Sequence, residues 1–265
     1  LPAHDLALLT EAARAAGEIA MRFWKRAPKV WEKGGGHGPV TEADLDVNEM
    51  LAERLLAARP DYCWLSEETE DGTARLGAER VFIIDPIDGT RAFMAGEETF
   101  AHSLAVAAEG RVVAAVVYLP ALDRLYVAGD QGPALCDGRE IAASRIAGVQ
   151  GARVLASQSN FAPHLWPGGV PQVKRSFRAS LAYRLCLVAE GRFDGMLTLR
   201  DAWEWDIAAG ALICERAGAV VTDRAGTPLR FNAAHPRAAG VVAASPGLHD
   251  ALMGGLVPPE ERLMP

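Results

Sequence analysis

From His4 to Arg26 the apolar residues Leu6, Leu9, Ala13, Ala16, Ile19, Ala20 and Phe23 recur at three- and four-residue steps. That spacing lines one face of an α-helix, and Pro28 stops it. "KGGGHG" predicts a loop, and "TEADLDVNEMLAERLLAARP" predicts a second helix. Thr41 stands three residues before Asp44, an acidic variation on the capping box, and Pro60 lies past the end. From Val81 the pattern changes to strands. "VFIID" is a short apolar run, and "HSLAVAAEGRVVAAVVYLP" is two runs joined at Glu109-Gly110, a hairpin signal. "RLYVAG" and "GPALCDG" predict another strand pair.

The segment from Asp137 to Gly151 is polar, rich in small residues and without a strong period. It divides the chain into a part spanning 1–140 and a part spanning 141–265. In the second, strand and helix alternate: "ARVLAS", then the helix "SLAYRLCLVAEG" closed by Gly191, the strand "FDGMLTL", and the helix "DIAAGALICERAG" ending at Gly218. Strands near "AVVTD" and "GVVAAS" follow. Such alternation favours an α/β layer arrangement.

Composition narrows the function classes. The chain has 265 residues, is half hydrophobic and carries a formal charge of −7, so no nucleic-acid backbone or anionic membrane is expected as a partner. Cys63, Cys136, Cys186 and Cys214 form no CxxC pair and are expected to be reduced thiols of a cytoplasmic protein. No apolar run reaches the ~18 residues needed to span a bilayer.

The chemistry concentrates in "VFIIDPIDGTRAF", Val81 to Phe93. Asp85 follows an apolar strand that Pro86 is expected to interrupt, and Asp88 comes three residues later. Both carboxylates can then face one point, where two charges ~4 Å apart repel by about 4 kcal/mol at an effective dielectric near 20. A divalent cation resolves this, and hard oxygen ligands suit Mg²⁺ or Mn²⁺. Glu67-Glu68 in "WLSEETE", Asp206 in "WEWDIAAG" and Asp44 are further carboxylates of this kind. Taken singly, Asp44 and Asp206 read as helix N-terminal charges, Glu67-Glu68 as a solvated loop and "DPIDG" as a turn. Gly89-Thr90 adds a turn able to present backbone N–H groups to an anion such as phosphate.

Together "DPIDGT", "SEE", "VTEAD" and "WEWDIAAG" resemble the inositol monophosphatase superfamily of Mg²⁺-dependent, lithium-sensitive phosphomonoesterases. The resemblance runs in the family's order from Lys33 to about Asn232. It implies a five-layer αβαβα sandwich, with an α+β half over 1–140, an α/β half over 141–265, and the active site between them. Carried over motif by motif, Glu67, Asp85 and the carbonyl of Ile87 match ligands of a first metal, and Asp85, Asp88 and Asp206 those of a second. Glu67 would also serve a third, weaker ion. Asp44 and Thr90 match the pair that orients and deprotonates the attacking water. The Gly89 and Thr90 N–H groups match the phosphate cradle, and Lys33 a lysine near the site. A small phosphorylated metabolite as substrate and a homodimer are expected on the same ground.

For the substrate, the resemblance places an acidic, inositol-binding residue seven positions before the "WD" aspartate, where this chain has Leu199 followed by Arg200. An apolar side chain cannot replace carboxylate hydrogen bonds to a polyol. "LCLVAEGRFDG" and "GTPLRFN" are reminiscent of enzymes that hydrolyse 3'-phosphoadenosine 5'-phosphate, and "DGTRAF" of histidinol-phosphate phosphatases. The expectation leans toward a bisphosphate nucleotidase or broad activity, with inositol-1-phosphate next. Trp203 and Trp205 are read as core or as a platform for a base. A different class, a relative that binds the transcription machinery with catalysis dispensable, is the remaining alternative.

Overall fold

The structure, a computed structural model, describes residues 2–33 and 38–256. The amphipathic opening segment forms α1 (Pro2–Phe23). The hairpin β1 (Val30–Glu32) and β2 (Pro39–Thr41) pairs Val30 with Thr41 and leads into α2 (Glu42–Ala58). Residues 34–37 of the expected "KGGGHG" loop lie outside the described residues. The capping box at Thr41 forms reciprocally: Asp44 N–H donates to Thr41 Oγ1, and Thr41 N–H donates to Asp44 Oδ2 at 2.8 Å. Buried Asp5 ties α1 to its neighbours by accepting from Arg59 Nε at 2.8 Å and Tyr62 Oη at 2.9 Å.

Seven strands follow one another in space as in sequence: β3 (Cys63–Ser66), β4 (Arg80–Asp88), β5 (Ala101–Ala108), β6 (Arg111–Leu119), β7 (Arg124–Gly129), β8 (Leu135–Cys136) and β9 (Arg139–Glu140). Only β3 and β4 run parallel. The short helix α3 (Thr90–Met94) lies between β4 and β5. The β5–β6 hairpin turns where the sequence signalled it, with Glu109 at φ 52° and Gly110 at φ 75°. Those are the positive dihedrals a tight hairpin turn demands.

The remaining elements are β10 (Arg153–Leu155), β11 (Lys174–Ser176), α4 (Leu181–Ala189), β12 (Gly195–Thr198), β13 (Ala202–Trp203), α5 (Glu204–Arg216), β14 (Val220–Thr222), β15 (Arg237–Ala238), β16 (Val241–Ala244) and α6 (Pro246–Gly255). A five-stranded sheet has the order β11-β10-β12-β16-β14, and β13 pairs with β15 in a separate ribbon. The helix α6, absent from the sequence-based expectations, starts with Pro246 at its first turn, a position that tolerates a missing N–H.

Alternation along the strands assigns the layers. Phe82, Ile84, Val106 and Val116 join Leu9, Val47 and Leu51 of α1 and α2 in one apolar cluster. Val81, Ile83, Ala105 and Val117, on the opposite face, join Leu185, Ile207 and Leu212 of α4 and α5. The same cluster takes in Leu155, Met196 and Val241 of the five-stranded sheet. Leu197, Val242 and Ala244, on that sheet's other face, pack with Leu248 and Leu252 of α6. The order α1/α2, sheet, α4/α5, sheet, α6 is a five-layer αβαβα sandwich.

One local expectation changes. Pro86 does not end β4; the strand continues to Asp88 through a bulge, with Asp85 opposite Ser103 and Asp88 opposite Ala101. A bulge accommodates the missing proline donor and re-aims the side chains around it. The buried His102 ring secures it, since Nδ1 faces the carbonyl of Pro86. A carbonyl only accepts, so Nδ1 is the protonated nitrogen. Burial lowers the His102 pKa to about 4, and the ring is neutral at pH 7.

Candidate functional site

The bulge delivers Asp85 and Asp88 to the sheet edge in different surroundings. Asp88 Oδ2 accepts from Ser180 Oγ and from the N–H of Ala182, both at 2.6 Å. These groups sit at the start of α4, where Ser180 is the N-cap and also accepts from the Tyr183 N–H. Burial raises the Asp88 pKa to about 6, while Ser180 and the Ala182 and Leu181 amides oppose the rise. Asp85 is just as enclosed, but among the described residues neither of its oxygens accepts from an N–H or hydroxyl donor. Burial, and then the charges of Glu67, Asp88 and Asp206, push its pKa well up.

Glu67 follows the end of β3, and its N–H donates to Ile84 O, which sets it beside the end of β4. Asp206 lies in the first turn of α5, whose entry is fixed by Ser103 Oγ donating to Trp205 O at 2.9 Å. Carboxylate oxygens of Glu67, Asp85 and Asp206 lie within 4.8 Å of one another. Burial, then Asp88 and Glu67, also raise the Asp206 pKa well above the ordinary range. Three mutually repelling carboxylates, one with two orphaned buried oxygens, fit a hard divalent cation. This acidic cluster can hold a metal.

Thr90 faces the cluster from the start of α3. Its Oγ1 has two acceptors, Ile87 O at 3.2 Å and Asp44 Oδ1 at 3.3 Å. Burial raises the Asp44 pKa to about 6, with Thr41 opposing and Glu67 adding to the rise. Gly89, at φ 96°, takes the left-handed conformation that lets the chain turn from β4 into α3. Lys33 Nζ bridges Glu67 at 2.7 Å and Glu68 at 2.6 Å. Burial works against its charge, but the two glutamates outweigh this and its pKa is raised. Burial also lifts Glu68 to about 7.

These groups open onto a cleft of about 640 Å³ lined in part by Glu67, Gly89, Thr90 and Asp206. Arg184, Arg200, Asp201, Trp203 and Arg237 also line it, and Asp88 and then Asp206 favour the charge of Arg184. Of the residues named from sequence, Arg200 reaches the cleft and Leu199 does not. Leu199 is buried with Leu197, Val242 and Leu248, and its N–H is tied to Asn160 Oδ1 at 2.9 Å. The substrate-facing position assigned to Leu199 is therefore corrected: the carboxylate that lines the cleft beside Arg200 is Asp201, two residues on. Sequence reasoning also missed Ser180, Arg184 and Arg237, which reach the site only because α4 and the β13–β15 ribbon fold against it. The helix-start signal "S-L-A-Y" was the one clue to Ser180.

The family model for the inositol monophosphatase family matches residues 3–258. The chain belongs to that family. Inositol-1-monophosphatase from Rhizobium meliloti is 38% identical over 192 residues, covering 67% of this chain and 69% of the relative. Fructose-1,6-bisphosphatase/inositol-1-monophosphatase from Thermotoga maritima is 33% identical over 208 residues, covering 77% and 78%. Among solved structures, the extragenic suppressor protein suhB from Bartonella henselae superposes with a TM-score of 0.82 at 26% identity, over 95% of this chain and 98% of that one. As an inositol monophosphatase family member the chain is a phosphatase, a phosphoric monoester hydrolase acting on small phosphorylated substrates. Among the described residues no helix is long and apolar enough to cross a membrane.

Proposed function

We propose that this protein is a Mg²⁺-dependent phosphomonoesterase that hydrolyses a phosphorylated polyol, with inositol-1-phosphate its reference substrate. The observation that carries the reading is Asp85, whose two buried oxygens lack any N–H or hydroxyl donor among the described residues and stand among Glu67 and Asp206. Glu67, Asp85, Asp206, Asp88 and the Ile87 carbonyl would hold the ions, whether two or three, with Mn²⁺ a substitute. Divalent cations there supply Lewis acidity toward phosphoryl oxygens and lower the pKa of water.

The protein's own groups do the rest. The Thr90 hydroxyl hydrogen is directed to Ile87 O or Asp44, which leaves its lone pairs to accept from a water and orient it. Asp44, at about 6, is ionised at neutral pH and close enough to it to take a proton through Thr90. The backbone at Gly89 and Thr90 meets the phosphoryl group, and Lys33 neutralises Glu68 beside it.

The lean toward a nucleoside bisphosphate, drawn from "LCLVAEGRFDG" and "GTPLRFN", gains no stacking platform from Trp203. One face of its ring is covered by Arg237 at 3.6 Å and the other by Trp205 at 4.6 Å, so neither is free for a base. The objection to a polyol rested on Leu199 and falls with it, because Asp201 gives the cleft a carboxylate acceptor. The printed activities of the Rhizobium meliloti and Thermotoga maritima relatives point the same way. A homodimer in the cytoplasm, inhibited by lithium, remains the expectation from the family. The test is phosphate release from inositol-1-phosphate with Mg²⁺, with EDTA, and with Asp88→Asn. Mg²⁺-dependent turnover lost in the variant supports the reading, and absence of turnover with Mg²⁺ or Mn²⁺ overturns it.

A further inference from the structure

The candidate metal ligands come from two segments distant in sequence, the bulge from Asp85 to Asp88 and the first turn of α5 at Asp206. Strand β5 is tied to both. Asp85 lies opposite Ser103 and Asp88 opposite Ala101, so His102 falls opposite the extra residues Pro86 and Ile87 of the bulge. Successive residues of a strand point to opposite faces. The His102 ring sits 6.4 Å from the Phe100 and Tyr118 rings, in the layer shared with α1 and α2. Ser103 points the other way, toward α5.

Each side chain grips the backbone of one ligand-bearing segment. His102 Nδ1 donates to Pro86 O, the carbonyl between Asp85 and Ile87. Ser103 Oγ donates to Trp205 O at 2.9 Å, one residue before Asp206. The His102 ring is fully buried, and its Nε2 has no hydrogen-bond partner among the described residues. An orphaned ring nitrogen costs free energy that a leucine in the same place would not incur. Packing alone therefore does not account for a histidine here, whereas the bond to Pro86 O does. Groups at one remove from a metal orient its ligands, and their loss weakens metal binding.

We propose that His102 and Ser103 are positioning residues that set the gap between the Asp85–Asp88 bulge and Asp206, and with it the affinity of the acidic cluster for a divalent cation. The inference rests on the proposed reading of that cluster as a metal site. Neither side chain is a ligand, because each is spent on a backbone carbonyl. Two neighbouring residues of one strand thus hold both halves of the ligand set in a single register.

The experiment titrates Mn²⁺ and Mg²⁺ by calorimetry into the full chain as wild type, His102→Leu, His102→Asn, Ser103→Ala and Val106→Ala. Leucine keeps the bulk and removes the donor, whereas the asparagine amide can place an N–H near the position of Nδ1. Val106→Ala opens a cavity on the same face of β5 as His102 and is the control for lost stability. His102→Leu and Ser103→Ala should each weaken Mn²⁺ binding by about tenfold or more. His102→Asn should restore most of the affinity, and Val106→Ala should lower the urea midpoint while leaving affinity unchanged. Should His102→Leu fail to fold, His102→Gln, whose amide reaches past the Nδ1 position, takes its place. Unchanged affinity in either the His102 or the Ser103 donor-removing variant overturns the shared gap and leaves the metal reading standing. A loss in His102→Asn equal to that in His102→Leu, or an equal loss in Val106→Ala, also overturns it. Should the wild type bind neither ion, the metal reading fails and the proposal falls with it.

Discussion

The two walls of the cleft are built on opposite principles. The acidic wall gathers Glu67, Asp85, Asp88 and Asp206 at strand and helix ends, where burial and mutual repulsion hold Asp85 and Asp206 far above the ordinary carboxylate range. The basic wall holds Arg184, Arg200 and Arg237 on α4, on the segment after β12, and on β15. Two of these three are exposed. Charge on the first wall is confined, and a bound cation would resolve it; charge on the second is partly solvated, and Asp88 and Asp206 favour the ionised form of Arg184. The contrast teaches where substitutions should act: on the acidic side they are expected to change whether the cluster can hold a metal, on the basic side the charge the cleft presents.

Removing a carboxylate breaks the comparison hardest. Asp85→Asn should cut kcat on the order of 10³-fold or more, the scale of losing a dominant electrostatic group, and should weaken divalent-cation binding measured by calorimetry. Retention of near-normal kcat would place the ions elsewhere. Next in size, Thr90→Val should lower kcat by about 10²-fold or more with little change in KM, while Thr90→Ser keeps most of it. Equal losses in the two would remove the hydroxyl from the mechanism. Ser180→Ala strips Asp88 of a donor and α4 of its cap. A fall of about 10- to 100-fold in activity or metal affinity is expected, with about 1 kcal/mol of stability lost, both read from one preparation by steady-state kinetics and urea unfolding.

A smaller effect concerns pH. Asp44 and Asp88 are raised to about 6 and Glu68 to about 7, each mainly by burial, against unfolded carboxylates near 4. Between those values the folded chain binds more protons than the unfolded one, so stability falls as pH rises through the window. Melting temperatures in EDTA should therefore drop from pH 4 to 7, and added Mg²⁺ should oppose the drop most at the upper end. A melting temperature that rises across the same interval in EDTA contradicts the assigned burial.

Much of the acidic wall was legible because its determinants are local. Thr41 and Asp44 are three residues apart and cap their own helix, and Asp85, Asp88, Gly89 and Thr90 sit in one short run. The basic wall was not, because its members meet through tertiary structure. Ser180 reaches Asp88 across 92 positions, and Arg237 finds Trp203 only through the β13–β15 ribbon. Leu199 shows the limit of counting along a motif. Just past β12, its side chain turns into the apolar layer under α6, so a position fixed by spacing alone pointed to the wrong face. Pro86 misled for a related reason: a bulge, invisible to periodicity, let the strand continue past it.

The close approach of the two central helices has a mechanical consequence. A Cβ on Gly210, the last residue of "WEWDIAAG", would stand 2.6 Å from Leu185 Cδ1, so α5 and α4 touch there with only a hydrogen atom between them. Asp206 projects one turn before that point and Arg184 one residue before Leu185. Asp206 and Arg184, which both line the cleft, are thus carried on two arms of a caliper pinned at Gly210. Rim residues can be exchanged to suit new ligands while the gauge between the arms stays fixed, whereas a single methyl at the pin resets both at once.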